Sequence, residues 1–182
     1  IMTNLPERQA AEELLEKYIG NPHLRTHCRM VATVMAAYAK KLGEDEELWY
    51  QTGLLHDLDW EEFPEEHPNK AVDELLAEYP PELKQAVAAH APARTGQKPQ
   101  AKLDKYLFAC DELSGFMTAY ALMRPNDFEG MKPGKVKKKL KDSSFAANVS
   151  REDITKGLEL IEEDNDEHMR FMAEVLNENF KL

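Results

Sequence analysis

The 182-residue chain carries 34 acidic and 23 basic side chains, a formal net charge of -11. That balance weighs against a DNA- or RNA-binding protein that works by neutralising phosphates, because such domains concentrate positive charge on one face. Hydrophobic content of 42% beside 31% charged residues suits a single domain over 1–182, and no apolar run approaches the roughly 20 residues of a membrane span. Ile1-Met2-Thr3-Asn4 lacks the basic, apolar and small-residue succession of an export signal, so a cytoplasmic location is expected.

The hydrophobic period is helical almost throughout and strand signals are nearly absent, which predicts an all-α helical bundle. Met30, Val31, Val34, Met35, Tyr38 and Leu42 recur at spacings of three and four, so a helix is expected from Leu24 to Leu42 with Gly43 as its stop. A second runs from about Asp45 to His56 and turns apolar at its end, in Gly53-Leu54-Leu55, just before a polar cluster. After the acidic loop Asp59 to Pro64, a helical stretch from Asn69 to Tyr79 is closed by Pro80-Pro81. Glu82 to Ala91 reads as a short helix that Pro92 stops, leaving Ala93 to Gln100 as a polar loop. A long apolar helix is expected from Lys102 to Met123, broken by Arg124-Pro125-Asn126-Asp127. Lys132 to Ser144 is basic and reads as turn-rich, around Lys135, Lys137, Lys138, Lys139 and Lys141. Ser150, with Asp153 three residues on, has the character of an N-cap and opens two amphipathic helices, about 151–163 and 166–180. No internal repeat and no interdomain linker stands out.

Chemistry concentrates in the first two thirds of the chain. Four of the six histidines, His27, His56, His67 and His90, fall in or beside predicted helices, and neutral imidazole is the commonest transition-metal ligand. The pair His56-Asp57 follows a buried helix end, so a nitrogen and an oxygen ligand are delivered together. His27, one helix earlier, and Asp111 are candidates to join them. A carboxylate after Leu107-Phe108-Ala109-Cys110 is costly to bury unless paired or bound to metal. The mixed set of imidazole and carboxylate suits iron, manganese, zinc, cobalt or nickel, whereas an all-oxygen set would suit magnesium or calcium. Cys28 and Cys110 form no C-x-x-C pattern and read as small apolar helix residues.

The succession His27, His56-Asp57, Asp111 resembles the H...HD...D signature of the HD superfamily of metal-dependent phosphohydrolases. Leu54-Leu55-His56-Asp57-Leu58-Asp59 is similar to its ligand turn, and Ala109-Cys110-Asp111-Glu112-Leu113 to its last-ligand helix. The likeness covers about 21–120 as an HD core, with 1–20 and 121–182 as appended helices, and it implies ligands converging inside a helical bundle. His67 and His90 resemble the two further histidines of those HD proteins that hold a second metal. One or two divalent ions are thus implied, with Asp57 bridging where there are two. The implied reaction is attack of metal-activated water on a phosphomonoester or phosphodiester, with nucleotides among the candidate substrates. Similar ligand sets in the superfamily also serve di-iron oxygenases and non-catalytic nucleotide or metal sensors, and both stay open as alternatives.

Around this set, Asp59 and Glu61 stand close enough to the turn to orient a ligand or give a proton to a leaving group, and Asp57 and Asp59 are the candidate catalytic residues. Arg94 and the Lys135 to Lys139 cluster are candidates to receive substrate phosphate, against the plainer reading of a solvated basic face. Trp49, Tyr50 and Trp60 flank the turn, where they either stack a ring or close the core. His23 and His168 are assigned no role. No membrane partner is expected, and the oligomeric state is not legible.

Overall fold

The second helix shows how local chemistry sets the elements. Asn21 precedes it with its side chain accepting from the N–H groups of His23 and Leu24, Pro22 fills the first turn, where a missing donor costs nothing, and Gly43 closes it at φ 72°. The computed structural model describes residues 4–182; Ile1, Met2 and Thr3, which bear on the export-signal reading, lie outside the described residues. Among the described residues the regular structure is nine α-helices and one π-helical segment, without strands, as an all-α chain requires. No described helix is long and apolar enough to cross a membrane.

The chain divides into two compact units, residues 1–107 and 108–182. The first holds α1 (Arg8–Tyr18), α2 (Pro22–Leu42), α3 (Glu46–Leu55), the π-helical segment Ala71–Leu75, α4 (Pro81–Ala89) and α5 (Pro92–Thr95). Helix α6 (Lys102–Ala121) begins there and runs on into the second unit, which adds α7 (Pro133–Leu140), α8 (Arg151–Leu160) and α9 (Asn165–Asn179).

Leu15, Ile19, Cys28, Ala32, Leu54, Leu55, Leu58, Leu76 and Leu83 form the core of the first unit. Each fully buried leucine or isoleucine there contributes about 1.5–3 kcal/mol. Helix α3 is capped by Asp45, whose side chain accepts from the Leu48 N–H at 3.0 Å, and it is buried nearly all round, from Gln51 to Leu55. It crosses α2 at Gly53, where a Cβ would stand 2.7 Å from the Ala32 Cα, closer than any side chain can be accommodated. That close approach brings the end of α3, and so His56, alongside α2.

Three stretches differ from expectation for identifiable reasons. Pro92, expected to stop a helix, and Pro133, in the stretch Lys132 to Ser144 expected to be turn-rich, each occupy the first turn of a helix, α5 and α7, because proline is excluded from helix interiors but fits the first turn. The expected α-helix over Asn69 to Tyr79 is π-helical at Ala71–Leu75, where the Ala71 N–H leaves the ladder to donate to Asp59 Oδ2 at 2.8 Å.

In the second unit, Gly157 of α8 meets α6 so closely that a Cβ would lie 2.8 Å from the Ala109 Cα. His168 is fully buried and donates from Nε2 to the Ala109 carbonyl at 3.1 Å, a structural role. Cys28, in the first unit, and Cys110 are both buried and form no disulfide. Ser150 caps α8 by accepting from the Asp153 N–H at 3.1 Å. The next residue, Arg151, donates its guanidinium protons to the carbonyls of Leu140, Asp142, Phe145, Ala146 and Val149 and so organises the connection from α7.

Candidate metal centre

Two histidines of the first unit are placed by one device. His56 is the residue after α3 and His90 the residue after α4, and each turns its Nδ1 back onto a carbonyl of its own last helical turn, Gly53 and Val87 respectively. Those carbonyls have no partner inside the helix, so an imidazole N–H both caps the helix end and fixes the ring. A carbonyl only accepts, so the hydrogen is on Nδ1 and the Nε2 lone pair faces away from the helix. His67 is held the same way by a side chain: its Nδ1 lies 2.6 Å from Oδ1 of the fully buried Asp59.

The three fixed Nε2 atoms and that of His27 converge on Asp57. His27 and His56 stand 3.8 and 3.3 Å from Oδ2, and His67 and His90 stand 3.6 and 3.5 Å from Oδ1. Each oxygen of one carboxylate therefore faces its own pair of imidazoles. With Nδ1 protonated, neutral His56, His67 and His90 present lone pairs to the lone pairs of Asp57, an arrangement that a cation between them relieves. Ligand atoms about 2.1 Å from a shared ion stand about 3.0–3.4 Å apart at octahedral or tetrahedral angles, and the four separations of 3.3 to 3.8 Å lie at or just above that range. The donor set thus fits divalent transition ions, in one group of His27, His56 and Asp57 and another of Asp57, His67 and His90. Where no cation lies between them, the same closeness favours a proton there instead: burial by itself would raise the Asp57 carboxyl, but the charge and hydrogen bonding that protonated His56 and then His90 bring outweigh it and hold it well below the usual carboxylate range. Its side chain keeps 16% of its surface exposed, so the centre reaches solvent.

Asp111, the remaining expected ligand, lies on the second-unit part of α6 and is half-buried; beside it, burial and then the Asp111 charge push the Cys110 thiol up. Of the flanking residues, Glu61 is committed elsewhere, its carboxylate accepting from the N–H groups of Gly20 at 3.2 Å and Asn21 at 2.9 Å. Trp49 is buried against Tyr106, with ring centroids 5.5 Å apart, and Tyr50 donates to Glu12 at 2.9 Å. Trp60 alone of the three flanking aromatics stays open, 43% exposed, with its ring centroid 5.1 Å from that of His67. The Arg94 guanidinium lies 5.7 Å from the Trp60 ring centre, and its Nη1 donates to the carbonyls of Pro64 at 2.7 Å and His67 at 3.1 Å. The lysines Lys135 to Lys139 belong to α7 in the second unit, and His23 is exposed.

Nothing in the local sequence marks Gly53 or the Gly53 and Val87 carbonyls as parts of the site. The one available signal is position, a histidine immediately after a helix end in both cases. A protein-family model described as the HD domain matches residues 24–115. No curated protein and no solved structure matches the chain.

Proposed function

The chain belongs to the HD domain family, and from that premise we propose that it is a phosphohydrolase that cleaves a small phosphomonoester or phosphodiester with metal-activated water. The support is the arrangement around Asp57, one carboxylate oxygen facing His27 and His56 and the other facing His67 and His90. His27, His56 and Asp57 would hold one ion and Asp57, His67 and His90 another, and Asp111 answers to the last ligand of the family pattern. When bound, such ions supply Lewis acidity towards phosphoryl oxygens and make water nucleophilic near neutral pH.

The protein's own groups divide the remaining work. Asp57, kept ionised, would serve both ions and carries negative charge into a mainly imidazole environment. Asp59 acts through His67 as a positioning residue, since both of its oxygens are engaged, by the His67 ring and the Ala71 N–H. Arg94 spends Nη1 on the two carbonyls, and its Nε and Nη2 remain to meet a substrate phosphoryl oxygen. The open Trp60 ring beside His67 offers a surface for a flat substrate group, which favours a nucleotide. On this reading residues 1–182 act as one domain in the cytoplasm, with a core at about 21–120.

The test is metal quantification by mass spectrometry on untagged protein, with phosphatase and phosphodiesterase turnover measured on added manganese, iron, cobalt, nickel or zinc. Near-stoichiometric metal with metal-dependent phosphate release is expected. Two ions per chain should fall to one in His67→Ala or His90→Ala and to none in Asp57→Ala, with the helical signal kept, because ligand removal subtracts the ion rather than the helices. Retention of metal and turnover in Asp57→Ala and His56→Ala would sink the assignment, and metal without turnover of any phosphoester would sink the hydrolase.

A further inference from the structure

Within the second unit lies a cavity of about 720 Å³ between α7 and α9 that none of the expected metal ligands lines. Its floor is apolar, with Phe128, Met131 and Ala173 almost wholly buried, and its wall carries Lys132, Lys135 and Lys138. The size falls within the roughly 300–1,000 Å³ typical of small-molecule pockets. We propose that this cavity binds a small molecule carrying more than one phosphate group.

The lysines of this segment divide in a way that a uniformly solvated basic face would not. Lys137 pairs with Asp166 at 2.6 Å and Lys139 approaches Asp142 at 3.8 Å, so both are neutralised locally. The three that line the cavity meet no carboxylate among the described residues, although the chain as a whole carries a net charge of -11. Their spacing of three residues sets them along one flank of α7, over about 9 Å of helix axis from Lys132 to Lys138. A run of cations of that reach matches a chain of linked phosphates better than a single one.

The other charged groups do not cancel this field. Asp166 is taken by Lys137, and Arg170 pairs with Glu167 outside the wall, leaving Glu174 as the one carboxylate of the cavity with no cation against it among the described residues. Helix α7 begins at the cavity, with Pro133 in its first turn and Gly134 also in the lining, and no side chain caps it. Its N-terminal dipole therefore adds to the lysine charge. The apolar floor leaves room for the non-phosphate part of the ligand.

The test uses the full chain stripped of metal with a chelator, so that its failure leaves the metal-centre reading untouched. Inorganic tripolyphosphate, titrated calorimetrically at low salt, is expected to bind at one site per chain, and orthophosphate about tenfold more weakly or worse. The double variant Lys135→Gln/Lys138→Gln should lose about tenfold in tripolyphosphate affinity. Lys156→Gln, which removes an exposed lysine paired with Glu152 elsewhere in the unit, should not. Lys135 and Lys138 are both exposed, so the variants should keep the fold, which circular dichroism checks. Absence of binding, equal binding by the double variant, an equal loss in Lys156→Gln, or equal affinity for duplex DNA at the same phosphate concentration would each overturn the proposal.

Discussion

Oδ1 of Asp59 lies 2.6 Å from Nδ1 of His67, while Oδ2 takes the Ala71 N–H at 2.8 Å, so one buried carboxylate ties a proposed metal ligand to the start of the π-helical segment. A carboxylate behind a metal-bound imidazole fixes its tautomer and raises its basicity. Asp59→Ala should therefore weaken the ion held by His67 and His90 about 10- to 100-fold while sparing the ion held by His27 and His56. Competitive metal titration reads the two affinities separately. An equal loss at both sites would point to a general structural failure instead of positioning.

Two glycines of the first unit should fail for different reasons. At Gly53 a Cβ would press on the α2 backbone, 2.7 Å from both N and Cα of Ala32, so Gly53→Ala should cost about 1–3 kcal/mol and shift His56. At Gly43 nothing lies within 4 Å, and the cost of Gly43→Ala is the left-handed backbone alone, φ 72°, about 1–2 kcal/mol. Denaturant unfolding measures both. Metal affinity separates them, since it should fall only in Gly53→Ala.

Tyr50 gives an alkaline prediction. Burial, then its hydrogen bond to Glu12, pushes the phenol up to about 12. The unfolded chain ionises this group near pH 10 while the folded chain keeps its proton, so the stabilisation is intact below about pH 10 and is lost as pH rises from about 10 to 12. Unfolding curves of the native protein should steepen in their pH dependence across that window, and Tyr50→Phe should flatten it. An unchanged slope in the variant would assign the alkaline transition elsewhere.

Arg151 carries the connection between α7 and α8 in the second unit. Its three nitrogens reach five backbone carbonyls, from Leu140 to Val149. Arg151→Ala strands those acceptors and should cost on the order of 3 kcal/mol, with faster amide exchange over 141–150. Arg151→Lys should rescue little, because one ammonium cannot reproduce the planar fork. Full protection of the segment in the lysine variant would contradict this account.

The sequence by itself determined the helices whose signals lie within a turn or two. Gly43 closes α2, Asp45 starts α3 and Ser150 starts α8, because a cap acts on backbone groups only a few residues away. It also determined the family, since His27, His56-Asp57, His67, His90 and Asp111 keep their order and flanks whatever surrounds them. Tertiary structure decided the rest. A proline reads the same whether it ends a helix or begins one, and only the packed chain settled Pro92 and Pro133 as first-turn residues. The π-helical segment depends on Asp59, twelve residues before Ala71. The division of four imidazoles between the two oxygens of Asp57 depends on segments up to 63 positions apart, from His27 to His90, with the approach at Gly53 among its conditions. Periodicity and caps are local; which lone pair faces which oxygen is decided only where distant segments meet.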